Sequence, residues 1–146
     1  LKDSLVEVPV GRNSLVELIA GSYGGANGPV ETFSPLHICN VQISGEDVVP
    51  FSFPSGWNVG LLVLEGSLAV NKDHEVLKDH IIVLAHNAAL FKLRALEGDV
   101  KVLLLAGEPI KEPMVSYGPF VMNTEEEIRQ AIKDFQEGVF GSWPKD

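Results

Sequence analysis

Few side chains in this sequence could do chemistry: four histidines (His37, His74, His80 and His86), one cysteine (Cys39) and a surplus of carboxylates. In LHICNVQI, residues 36–43, strand alternation puts His37, Cys39, Val41 and Ile43 on one face and Leu36, Ile38, Asn40 and Gln42 on the other. An imidazole beside a thiol can lower its pKa and serve as its base, so His37 and Cys39 form a candidate nucleophile pair. No third group that would orient the imidazole is evident, and a lone cysteine more often serves as a small buried hydrophobe. His74, His80 and His86 recur every six residues, but the polar and charged residues between His74 and His80 imply a turn that spoils convergence on one metal. The expectation is that these histidines are solvated or locally hydrogen-bonded, with His37 and His86 kept as weak metal-ligand candidates. The glycine-rich stretch GSYGGANGP, residues 21–29, lacks a lysine followed by Ser or Thr and reads as a surface loop rather than a phosphate cradle.

The elements that would position such groups are short strands. Residues 5–19 read as two strands about a Gly11-Arg12-Asn13 turn, followed by strands at 36–43, 58–64, 67–70, 90–96 and 99–106. The segment 67–70 is expected to pair back on 58–64 as a hairpin, and 99–106, almost continuously apolar, to be buried on both faces. Residues 107–122, with three prolines and no periodicity, are expected to form an extended arm. A helix over 124–137 carries Thr124 and Glu127 as a capping box, three glutamates in its first turn, an apolar stripe of Ile128, Ala131, Ile132 and Phe135, and Gly138 at its end. The stripe is expected to dock on the body that these strands build, and 138–146 to form an apolar tail.

Between Gly45 and Gly66, in GEDVVPFSFPSGWNVGLLVLEG, the spacing of Gly45, Phe51, Phe53, Asn58 and Gly66 resembles the first motif of the cupin superfamily. There a glycine is followed by His-x-His, then a glutamate, then a closing glycine. The resemblance implies an all-β, cupin-type double-stranded β-helix, or jelly-roll barrel, here with one C-terminal helix. Phe51 and Phe53 stand at the histidine positions and Asn58 at the glutamate position. The histidine of the second motif maps to Ala89. Phenyl rings and a carboxamide offer a divalent ion no useful ligands, so the barrel is expected to be metal-free, with both rings filling its interior.

Composition limits the remaining choices. A chain of 146 residues with 45% hydrophobic content suits one globular domain, 1–146, with the barrel over 5–106. The net charge of −9, from 20 acidic against 11 basic residues, argues against direct binding to nucleic acid or an anionic membrane. No apolar run spans a bilayer, and the single cysteine makes a reducing cytoplasm the expected setting. The first residue is Leu1, which fits a fragment of a longer protein.

The stretch LLLAGEPIKEPMVSYGPFVMNTEEEIRQAIKDF, residues 103–135, is similar to the C-terminal signature of the pirin family. The Tyr23-Gly-Gly loop, the Phe53-Pro-x-Gly-Trp57 turn and the Gly66 hairpin fall in the same order as in that family's second half. The resemblance implies a two-cupin parent in which iron and any flavonol (quercetin) 2,3-dioxygenase activity belong to an N-terminal barrel, with protein contacts, including transcriptional co-regulation, as a further role. It implies no cofactor in this chain, and as partner the N-terminal cupin domain or a second copy of the chain. The principal expectation is a structural or protein-interaction domain. The alternatives are a part of a metal-dependent dioxygenase and a small-molecule binder at the barrel mouth, which the two phenylalanines disfavour.

Overall fold

The computed structural model describes residues 5–72, 74–85 and 90–141. The chain divides into two compact units, Leu1–Pro109 and Ile110–Asp146. In the first unit the strands are β1 (Val6–Val10), β2 (Ser14–Ala20), β3 (Ser22–Tyr23), β4 (Ala26–Asn27), β5 (Leu36–Ile43), β6 (Val48–Ser52), β7 (Asn58–Glu65), β8 (Ser67–Val70), β9 (His74–Leu77), β10 (Ile81–Val83), β11 (Leu90–Ala95) and β12 (Val100–Gly107). A six-stranded sheet runs in the order β1-β2-β5-β12-β7-β10 and a four-stranded sheet in the order β6-β11-β8-β9. Neighbours in both are antiparallel. This is the two-sheet jelly roll that the sequence implied.

Strict alternation builds the core. Val16 and Leu18 of β2, Cys39, Val41 and Ile43 of β5, Leu61 and Val63 of β7, and Val102 and Leu104 of β12 are wholly buried from one sheet. Val49, Leu68, Val70, Phe91 and Leu93 meet them from the other. Period-two side chains therefore decide the register, since a slip of one residue would send every one of these to solvent.

Three expectations need correction. Ser67–Val70 does not pair back on β7; β8 pairs with β9 and β11 in the opposite sheet. Gly66 is the corner between the sheets: its φ is +77°, and a Cβ there would lie 2.3 Å from the carbonyl oxygen of Asp99. Strand β12 is not buried on both faces, because Val100, Val102, Leu104 and Ala106 alternate with the partly or well exposed Lys101, Leu103 and Leu105. The arm is not wholly extended either. In the second unit, β13 (Val115–Tyr117) and β14 (Phe120–Met122) form a hairpin ahead of α1 (Glu125–Gln136). Its turn at Tyr117-Gly118-Pro119-Phe120 uses Gly118 at φ +55°, a signal masked by the neighbouring prolines.

The helix forms as its ends dictate. Thr124 caps it, accepting from the Glu127 backbone N–H at 3.2 Å, while the Glu127 carboxylate accepts from the Thr124 N–H at 2.9 Å. Gly138, at φ +75°, follows the C-cap Glu137. Within this unit Ile128 and Ala131 are buried, and Phe135, though 63% exposed, meets Phe120 edge-on.

Candidate functional site

The interior of the first unit, where the Phe51 and Phe53 positions converge, is lined with rings. Their i, i+2 spacing points both rings inward, from the end of β6 and from the residue just after it; Phe51 is 2% exposed and Phe53 9%. The two stack at 6.2 Å with 12° between planes, Phe51 stacks on Phe91 at 5.8 Å, and Phe53 stacks on Trp57 at 5.7 Å. Tyr23, carried by the small β3–β4 hairpin of the glycine-rich loop, closes the cluster 4.9 Å from Phe51 and donates its hydroxyl to the Pro50 carbonyl at 3.1 Å. The sequence reads this stretch as a surface loop; instead it folds into a small hairpin whose Tyr23 packs on Phe51.

His37 enters this cluster from β5. Its ring lies edge-on to Phe53 at 5.1 Å and to Phe51 at 6.0 Å, and it is 4% exposed. Gly21 makes room for it, since a Cβ there would sit 2.9 Å from Nδ1. Among the described residues Nε2 has no hydrogen-bond partner, and the rings of Phe51 and Phe53 flank the imidazole. Burial among these rings pushes the His37 pKa below its ordinary 6.5. Cys39, next along the same face, is fully buried, and burial pushes its thiol up to about 12. A wholly buried thiol with its pKa raised is poorly suited to nucleophilic attack, which counts against the His37–Cys39 pair as nucleophile and base.

The remaining candidates do not gather. Asn58 is exposed at the start of β7, on the alternation opposite to the inward-facing Val59 and Leu61. His74 is exposed on β9, and His80 lies on a turn with Nδ1 2.9 Å from the Lys78 carbonyl. His86 and Ala89 lie outside the described residues. Among the described residues no three His, Cys, Asp or Glu side chains come together as a metal site. Among the described residues the donors inside the barrel do not fit an iron centre: one imidazole and one buried thiol amid aromatic rings leave the ion short of a ligand set.

One polar cluster was missed. Asp47 accepts from the backbone N–H of Arg12 at 3.0 and 3.1 Å, of Asn13 at 2.8 Å, and from Ser14 Oγ at 2.9 Å, while Ser14 Oγ accepts from Ser44 N–H at 3.1 Å. These bonds, that from the Asn13 N–H first, hold its carboxyl below the usual 3.8. The cluster clamps the β1–β2 turn to the loop before β6 and has the character of a structural lock.

An antiparallel two-sheet barrel of this topology defines a cupin-type domain. Within that class the chain belongs to the pirin family: residues 38–141 match the pattern described as the Pirin C-terminal cupin domain. It is 41% identical to the Pseudomonas aeruginosa protein named "Putative quercetin 2,3-dioxygenase PA2418" over 86% of this chain and 43% of that protein. It is 30% identical to mouse Pirin over 97% of this chain and 50% of that protein. A crystal structure of quercetin 2,3-dioxygenase from Acinetobacter baumannii superimposes with a TM-score of 0.89 at 36% identity, covering 97% of this chain and 49% of that one. The chain thus spans about half the length of the relatives it matches.

Proposed function

We propose that this domain is the non-catalytic barrel of a pirin-like protein, with a structural or protein-contact role and with a second cupin domain as its packing partner. The observation that carries the reading is the stacking of Phe51 and Phe53 as core at the two positions where a metal-binding cupin places its histidines. A barrel interior packed with Phe51, Phe53, Phe91 and Trp57 also speaks against a ligand cavity there.

A second reading has support in the relatives' names: the domain belongs to a quercetin 2,3-dioxygenase whose metal and chemistry reside in a further domain. The two readings agree about this barrel and differ about the whole protein. The test is elemental analysis of the purified chain after incubation with iron, manganese, nickel or zinc under reducing conditions and removal of the excess. The expected stoichiometry is near zero. A value near one overturns the reading and directs attention to His37 and His86.

A further inference from the structure

The small hairpin of β3 and β4 stands on a buried imidazole. Ser22 pairs with Asn27 and Tyr23 with Ala26, and the Gly28 N–H donates to the Gly21 carbonyl at 2.8 Å to close the base. Both feet are glycines seated against backbone. A Cβ on Gly21 would meet the Leu36 carbonyl oxygen at 2.7 Å and His37 Nδ1 at 2.9 Å, and one on Gly28 would meet the Ile19 carbonyl and the Ala20 nitrogen at 2.8 Å. Beyond the base, the Val30 N–H donates to the Ile19 carbonyl at 3.1 Å, which fastens the loop that follows. Two things hold the hairpin down at its far side: the Tyr23 ring against Phe51, and the Tyr23 hydroxyl on the Pro50 carbonyl. His37 is thus covered by Gly21 above and by Phe51 and Phe53 beside it, and 4% of it is exposed.

We propose that this hairpin is an acid-released latch: protonation of His37 lifts Gly21–Gly28 from the start of β5 and frees Tyr23 from Phe51, while the two sheets stay paired. A neutral imidazole carries one N–H donor, and an imidazolium carries two. Each must find an acceptor or water, yet Nε2 has no partner among the described residues. The titratable groups that the described elements around it contribute are Tyr23 from the hairpin and Cys39 from its own strand; burial raises the pKa of both, so both stay neutral as the solution is acidified. Neither offers a counter-charge. The faces of Phe51 and Phe53 attract a cation, but less than water does, and a desolvated charge without a partner is costly.

The hairpin is the part that gives way because it is the least fastened cover. On the sheet side His37 sits opposite Ala106 in an eight-residue ladder between β5 and β12, and Phe51 belongs to a five-residue ladder between β6 and β11. The hairpin has two residue pairs, one bond at its base and one hydroxyl contact. Segments with so few contacts open well below the free energy of global unfolding. Water then reaches the imidazolium through the opened base.

Amide hydrogen exchange of the 146-residue chain, followed by NMR from neutral pH to the acid edge of the folded range and corrected for intrinsic rates, tests the latch. The Gly28 N–H is expected to lose protection at least about tenfold more than the ladder amides of β5 and β12, because only its bond to Gly21 opens locally. The midpoint of that loss is expected to follow the titration of the His37 ring protons, a comparison made within the parent chain alone. In His37→Phe the excess loss is expected to vanish. Tyr23→Phe, which removes the hydroxyl bond, is expected to speed Gly28 exchange at every pH and to keep the acid-dependent excess. Equal loss at Gly28 and in the ladders would show that the proton acts by global unfolding and would overturn the latch. So would an excess that persists in His37→Phe, or a His37 titration that leaves Gly28 protected.

Discussion

The imidazole of His37 and the phenyl ring of Phe53 lie 5.1 Å apart, edge to face at 67°, inside the barrel of a cupin-type domain. Edge-to-face geometry directs the electropositive rim of one ring at the electron-rich face of the other. An imidazole that could have been a metal ligand is thereby held as part of an aromatic core.

If the rings are core, truncating one opens a cavity. Phe53→Ala is expected to cost about 3–5 kcal/mol, the range for buried aromatic truncations, and Phe53→Leu distinctly less. Urea unfolding of the three proteins measures the difference. A Phe53→Ala variant as stable as the parent would mean that the ring is not packed as described. Phe53→His is expected to bring no stoichiometric iron, because one added imidazole leaves any ion short of ligands.

The same burial gives His37 a pH signature. Its folded pKa is lowered from 6.5 by desolvation, so the unfolded chain takes up the proton first as the solution is acidified. Stability from neutral His37 is complete above about pH 6.5, declines as pH falls below it, and levels off beneath the folded value. His37→Phe is expected to flatten this limb while retaining stability at neutral pH, since an apolar ring of similar shape also removes an Nε2 that has no partner among the described residues. Thermal melts between neutral and mildly acidic pH decide it; an unchanged limb in the variant would exclude His37 as its source.

Asp47 acts in a lower window. Its carboxyl is held below 3.8 by the N–H groups of Asn13 and Arg12 and by Ser14, so the stability it contributes is present above pH 3.8 and is lost as pH falls through the folded value. Asp47→Asn is expected to lower stability at neutral pH and to flatten only the steep acid end of the profile. Because the two windows differ, a His37→Phe/Asp47→Asn double variant should lose both limbs independently.

How much of this was legible varied with the range of the interaction. Strand β5 was readable because its inward face, His37, Cys39, Val41 and Ile43, alternates with a more polar one. The helix was readable because its capping box lies within four residues. The destination of β8 was not, because a hairpin after Gly66 and a crossing to the other sheet have the same local sequence; only the distant Asp99 carbonyl distinguishes them. For β12 the error came from treating an apolar run as proof of burial, when alternation in space exposes Leu105. The frame of the candidate site, Phe51 and Phe53, followed from spacing, whereas Tyr23 and the Asp47 clamp depend on contacts across more than twenty residues.

Gly66 permits a controlled test of the corner that joins the sheets. It has φ +77° and a Cβ position 2.3 Å from a backbone carbonyl, whereas Gly98, in the turn before β12, has φ +64° and nothing within 4 Å of its Cβ position. An alanine at either place incurs the left-handed backbone penalty of about 1–2 kcal/mol. Only at residue 66 must it also push against Asp99, whose backbone cannot yield without disturbing the start of β12 at Val100. Gly98→Ala is therefore expected to fold with a modest loss, and Gly66→Ala to be the more destabilised by well over the shared backbone term, or to accumulate insoluble. Parallel urea titrations compare them; equal losses at the two sites would show that the corner at Gly66 is looser than its 2.3 Å approach requires.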